Sequence, residues 1–135
     1  MVITKLDDKL IHGGEILVKQ LDDAKIAVDA ALWFFFSDIQ AWKLLLSLPD
    51  LINQGPKAAY QAVQQALLKV NGKLQISLDD IAVTQPDASI LKLLRIAINT
   101  GIDISGIRFS NNVINGQLVE DAYIYRLLPV KAKVG

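Results

Sequence analysis

The stretch that decides the fold is ALWFFFSDIQAWKLLL, residues 31–46. It holds both tryptophans and three of the four phenylalanines of a 135-residue chain. Three readings compete for so much large apolar surface: a membrane segment, a core element, or a surface for a partner. The longest uninterrupted apolar run is Ala30–Phe36, closed by Asp29 on one side and Ser37-Asp38 on the other. A membrane helix needs ~20 apolar residues, so the first reading fails. Ile26, Val28, Ala30, Leu32, Phe34 and Phe36 alternate, which is the period of a strand. AWKLLLSLP follows after SDIQ, and Pro49 stops it. Two extended runs around a short polar segment read as a β-hairpin turning at Ser37–Gln40.

A four-residue loop pairs Phe36 with Ala41. Trp33 and Leu44 then share one face with Phe35 and Trp42, joined by Ala31, Leu46 and Leu48. The other face carries Leu32, Phe34, Phe36, Ala41, Lys43, Leu45 and Ser47, and it is mostly apolar too. A half-solvated antiparallel strand alternates apolar with polar; this hairpin does not, so both faces require cover. Leaving one bare would forfeit much of the ~5–15 kcal/mol that holds a domain folded and invite aggregation. Either the chain's own helices cover both faces, or part of one face meets another chain.

Outward from the hairpin, the segment TKLDDKLIHGGEILVKQLDD predicts a first helix. Thr4 is its expected cap, with Asp7 in a capping-box-like position. Gly13-Gly14 marks a kink, a weak point or close backbone packing. GPKAAYQAVQQALLKVNG predicts a second helix, opened by Pro56 and ended by Asn71-Gly72. KLQISLDDIAVT alternates and reads as a strand, bent at Asp79-Asp80. PDASILKLLRIAINTG predicts a third helix capped by Asp87 and ended by Gly101. GIRFSNNVINGQLVEDAYIYRLL reads as a second hairpin, because Asn-Gly between extended runs is the strongest short hairpin signal. The order is α-ββ-α-β-α-ββ: an α+β fold with a mainly antiparallel sheet of about five strands and three helices. Residues 1–130 form one expected domain and 131–135 a short C-terminal tail.

Lys plus Arg and Asp plus Glu each number 14, so the formal net charge is zero. Scattered basic residues without a surplus speak against nucleic acid as a partner. Near-zero charge gives little colloidal repulsion and eases self-association. The chain has no cysteine, which removes disulfides, thiolate metal sites and Cys nucleophiles. The opening MVITKLDDKL lacks the apolar core of a signal peptide, and a cytoplasmic location is expected.

Signs of catalytic chemistry are sparse. His12 is the only histidine, and with Glu15 it offers two ligands on one helix face, too few for a metal. Acidic pairs stand at Asp79-Asp80 and Glu120-Asp121, but neighbours on a strand point to opposite faces. Asp80 with Glu120 or Asp121, plus a lysine, could form a hydrolytic Mg²⁺ site only if the fold brought them together. No P-loop, dinucleotide fingerprint or zinc spacing is present, and no cofactor is expected. The surface most like a site is on the second hairpin, where the Asn115-Gly116 turn sets Arg108, Ser110, Asn112, Asp121, Tyr123 and Tyr125 on one face. Arg and Tyr are frequent hot-spot residues. An ordinary solvated face with an Arg108–Asp121 charge pair explains the same residues.

AALWFFF, AWKLLLSLP followed by GPKAAY, and the terminal EDAYIYR resemble a group of small bacterial proteins without an established activity. The similarity spans about Leu21–Tyr125. It implies a self-contained cytoplasmic bacterial domain and assigns no catalytic residue. The functional expectation is therefore a small binding or regulatory accessory protein that acts by protein–protein contact and self-associates. Its candidate contact residues are Trp33, Phe35, Trp42, Arg108, Tyr123 and Tyr125. A small metal-dependent hydrolase or nuclease using Asp80, Glu120 and Asp121 is one alternative; a small-ligand sensor is another.

Overall fold

A computed structural model describes residues 2–70 and 74–129. The chain runs α1 (Asp8–Asp23), β1 (Ala30–Phe36), β2 (Ala41–Ser47), α2 (Pro49–Ile52), α3 (Pro56–Lys69), β3 (Ile81–Thr84), α4 (Ser89–Ala97), β4 (Ile107–Ile114) and β5 (Gln117–Leu127), with a 3₁₀ turn at Leu78–Asp80. The five strands form one sheet in the order β3-β2-β1-β5-β4. The α+β class and the mostly antiparallel sheet agree with the sequence. Two details are corrected: the described residues form four helices rather than three, and the order becomes α-ββ-αα-β-α-ββ; within the mostly antiparallel sheet, β3 runs parallel to β2. The added helix is the four-residue α2, which Pro49 opens at a position where its missing N–H costs nothing. The parallel pairing follows from the connection. A strand that returns through a helix rather than a tight turn can lie parallel to its neighbour.

The first hairpin has the expected register: Phe36 opposes Ala41, Phe35 opposes Trp42 and Trp33 opposes Leu44. Gln40 adopts φ 51° to close the loop, and its N–H and side-chain amide both donate to the Ser37 carbonyl. Both faces of this hairpin are covered by the chain itself. On one side Leu17, Val18 and Leu21 of α1 and Ala59, Val63 and Ala66 of α3 pack on Ala31, Trp33, Leu44 and Leu46. On the other, Leu91 and Leu94 of α4 pack on Leu32, Phe34 and Leu45. Trp33, Leu32, Leu44 and Leu46 are 0% exposed. The cover runs out toward the turn, where Phe35 and Phe36 are half-buried and Ile39 is exposed.

Helix α1 starts later than expected, at Asp8, and its cap is Asp7 rather than Thr4: the Asp7 carboxylate accepts from the Leu10 N–H at 2.9 Å. Gly13-Gly14 proves to be a point of close packing. A Cβ on Gly14 would land on the Tyr125 hydroxyl, and one on Gly13 would stand 3.2 Å from Ile76 Cδ1. Asp87 does not cap α4; Ala88 occupies that position without a side-chain bond. Lys73, where the third expected strand begins, lies outside the described residues; over residues 74–84 only Ile81–Thr84 is strand, because Ser77 and Asp80 form a capping box around the 3₁₀ turn. The Asn71-Gly72 stop of α3 lies outside the described residues. Among the described residues no helix is long and apolar enough to cross a membrane.

Strand β5 carries the least regular pairing. Ala31 opposes Arg126 but Leu32 opposes Ile124, so Tyr125 is an extra residue, a β-bulge. Tyr125 and Arg126 consequently both face α1. Tyr125 joins the α1-side core, while the Arg126 guanidinium reaches Asp22 of α1 at 2.9 and 3.0 Å.

Candidate protein-contact face

The second hairpin turns at Asn115-Gly116, with φ 50° and 77°, the left-handed pair that a two-residue hairpin turn requires. It sets Ile114 opposite Gln117, Ser110 opposite Asp121 and Arg108 opposite Tyr123, as the turn chemistry predicts. Asn112 departs from the expected face. Asn111 takes φ 51° and drops out of the ladder between Ser110 and Asn112. Beyond it the faces exchange: Asn112 opposes Val119, which packs into the α4-side core.

What remains on the α1-side face is a compact polar and aromatic group. The Arg108 guanidinium forms a fork with Asp121, Nε to Oδ1 at 2.7 Å and a terminal nitrogen to Oδ2 at 2.6 Å. The Ser110 hydroxyl donates to the same Oδ1 at 2.6 Å. The bond from Arg108 above all holds the Asp121 carboxyl below the usual carboxylate range; burial opposes it, and the Ser110 bond adds to it. The bond to Asp121 likewise raises the Arg108 guanidinium. The guanidinium carbon stands 5.6 Å from the centre of the Trp42 ring, within cation–π reach. Trp42 in turn packs on Phe35 at 5.5 Å. Tyr123 lies opposite Arg108, and Gly106 gives its hydroxyl room, since a Cβ there would collide with it.

Behind this face stands a buried layer. Trp33 Nε1 donates to the Tyr125 hydroxyl at 2.9 Å, and that hydroxyl donates to the Ile11 carbonyl of α1 at 2.5 Å. Burial drives the Tyr125 phenol well above its ordinary range. The six contact candidates therefore separate by depth. Trp33, Tyr125 and Trp42 are inside the fold. Phe35 and Tyr123 are half-buried, and Arg108 is exposed. The outer layer of the face is formed by Arg108, Tyr123 and Phe35, which lie over the deeper three.

The acidic candidates do not converge. Asp80 is buried, and its Oδ2 accepts from the Ser77 N–H and hydroxyl at 2.9 and 3.2 Å. Asp121 is taken by Arg108, and Glu120 adjoins it half-buried. Asp80 leads into β3 while Asp121 lies on β5, with β2 and β1 between; three strand spacings amount to ~14 Å. Among the described residues no three His, Asp or Glu side chains gather as a metal site. His12 and Glu15 stand 3.8 Å apart on the outer surface of α1. Clefts of about 280 and 730 Å³ open beside residues 2–5. The buried carboxylate in their walls, Asp80, is already engaged by Ser77.

Sequence reasoning found the Arg108–Asp121 pair and missed its supports. Gly106 and Gly14 carry no local signal of the tyrosines they accommodate, and the Tyr125 bulge has no signature in the strand pattern. Compared with known proteins, the chain matches no family model, no curated protein and no solved structure.

Proposed function

We propose that this protein is a binding module whose working surface is the face around Arg108, Tyr123 and Phe35, and that its partner is a second copy of the same chain. The observation that carries this reading is the placement of the guanidinium: it is forked to Asp121 and set over Trp42, contacts that favour one orientation without any partner. Pre-ordered Arg and aromatic side chains lose little entropy on binding, which is how hot spots concentrate affinity. Zero net charge removes the repulsion that would keep two copies apart. The face is a better meeting surface than the free edge of β4, because Asn111 interrupts the row of ladder groups that strand addition needs. The hydrolase reading finds no support in carboxylates spread across the sheet.

Sedimentation velocity over a concentration series tests the proposal. A reversible monomer–dimer equilibrium is expected, weakened about tenfold or more by Arg108→Ala or Tyr123→Ala, the effect of losing one hot spot of ~1.4 kcal/mol. Val113→Ser, on the exposed hairpin tip, should leave it unchanged. A monomer at every concentration, or a dimer indifferent to Arg108 and Tyr123, overturns it.

A further inference from the structure

The sheet end remote from both hairpin turns holds a second polar group that the contact face does not use. Four buried side-chain atoms there have no hydrogen-bond partner among the described residues: Asp29 Oδ1, Ser47 Oγ, Thr84 Oγ1 and a terminal nitrogen of Arg95. They belong to one seam. Ser47 opposes Ala30 on one side and Thr84 on the other, and Ala30 faces α4, so both hydroxyls lie beneath α4. The Ser47 carbonyl accepts from the Asp29 N–H. Arg95, in the last turn of α4, reaches the same end. Its Nε donates to the Leu128 carbonyl at 2.7 Å, and one terminal nitrogen donates to the Pro86 carbonyl at 2.5 Å. The other terminal nitrogen stands 3.9 Å from Asp29 Oδ2.

That separation is too long for a hydrogen bond, which needs ~2.7–3.2 Å, and suits two groups joined through an intermediary. Buried polar groups are costly to leave unpaired, and proteins pair nearly all of them. The chemistry of the four atoms defines what could pair them. Asp29 only accepts, Arg95 only donates, and the two hydroxyls do both. An anion would meet the Asp29 carboxylate, and a cation would meet the Arg95 guanidinium. A small neutral molecule that both donates and accepts satisfies all four, and water, which typically makes ~3 bonds in such sites, is the smallest of that kind. We propose that this seam binds internal water, one or two molecules that join Asp29 and Arg95 of the α4 cover to the hydroxyls of Ser47 and Thr84. The closure of the second sheet face is then part apolar, through Leu91 and Leu94, and part water-mediated at its end.

Water-oxygen magnetic relaxation dispersion on the full chain counts long-lived waters directly. The wild type is expected to hold about one or two more than the Ser47→Ala, Thr84→Val double variant, consistent with ~3 bonds per buried water. Ser47→Ala alone is the milder test if the double variant does not fold. A wild-type crystal structure reads the same site without any substitution, with solvent density within hydrogen-bond distance of at least two of the four atoms. Equal dispersion in wild type and folded variants overturns the proposal. So does density showing the four atoms paired directly with one another, or with residues 130–135 of the chain's own tail.

Discussion

At the scale of single residues, Tyr125 and Gly14 act as a pair. The Tyr125 hydroxyl accepts from Trp33 and donates to the Ile11 carbonyl, so it links the central strand to α1 through a ring that is 2% exposed. That link needs the helix to approach within a hydroxyl's width of the sheet, which only a residue without Cβ allows. Tyr125→Phe keeps the ring and removes the oxygen. It leaves the Trp33 N–H and the Ile11 carbonyl without this partner, and should cost about 1–3 kcal/mol of unfolding free energy in urea. Gly14→Ala improves intrinsic helix propensity by ~1 kcal/mol yet is expected to destabilise, because the new methyl group and the phenol oxygen claim the same space. Combined with Tyr125→Phe, the alanine should become less harmful, since the nearest atom it strikes is gone, although ring Cζ and Cε2 at 2.7 and 2.8 Å remain. Additive losses in the double variant would show that the two residues are not coupled.

At the scale of elements, α1 is fastened at three points: the Asp7 cap at its start, Tyr125 at its middle and the Arg126–Asp22 pair at its end. The Arg126 side chain is 4% exposed and that of Asp22 38%. Arg126 also donates to the carbonyls of Ile102 and Val28. Asp22→Ala leaves a buried guanidinium without its counter-charge, and a loss of about 1–3 kcal/mol is expected, moderated by the partial exposure of Asp22. Amide exchange should accelerate first in the last turn of α1, residues 20–23, and not at the Asp7 end; uniform acceleration along the helix would show that the end is not fastened separately. The contrast between hairpins and this anchor shows how far the sequence can be read. Each hairpin is encoded locally, by a turn and by alternation on either side, and both registers follow from adjacent residues. The Arg126–Asp22 pair joins residues 104 positions apart and depends on a bulge that turns Tyr125 and Arg126 to the same side. The sequence pattern overextends β3 for a related reason. Leu74, Ile76 and Leu78 alternate as strand residues do, but they pack beside the core without a neighbouring strand to pair with. The contact face is legible in part: its charge pair follows from hairpin register, while the Trp42 platform beneath Arg108 comes from another hairpin.

At the scale of the whole molecule, one sheet with two separately covered faces makes the central hairpin the shared wall of both cores. Opening either layer exposes the same strands, so global stability should register what happens to a single group buried against β1. Tyr125 is that group, and pH is the variable that isolates it. Its phenol is raised above the ~10 of an unfolded tyrosine. Between those two values the unfolded chain has released the proton and the native protein still holds it. The native state therefore binds more protons, and stability falls as pH rises. The contribution is fully present below pH ~10 and declines above it by up to ~1.4 kcal/mol per pH unit for one proton. Other groups also titrate there, but the difference between the wild type and Tyr125→Phe removes what the two share. Near neutrality the wild type should be the more stable. As pH is raised from about 10 toward 11, urea unfolding should show the gap narrowing at that slope, because the phenylalanine variant has no proton to lose at this position. Two curves that stay parallel through this range would mean that the Tyr125 hydroxyl ionises in the native protein as readily as in the unfolded chain, and that the α1 layer does not seal it from water.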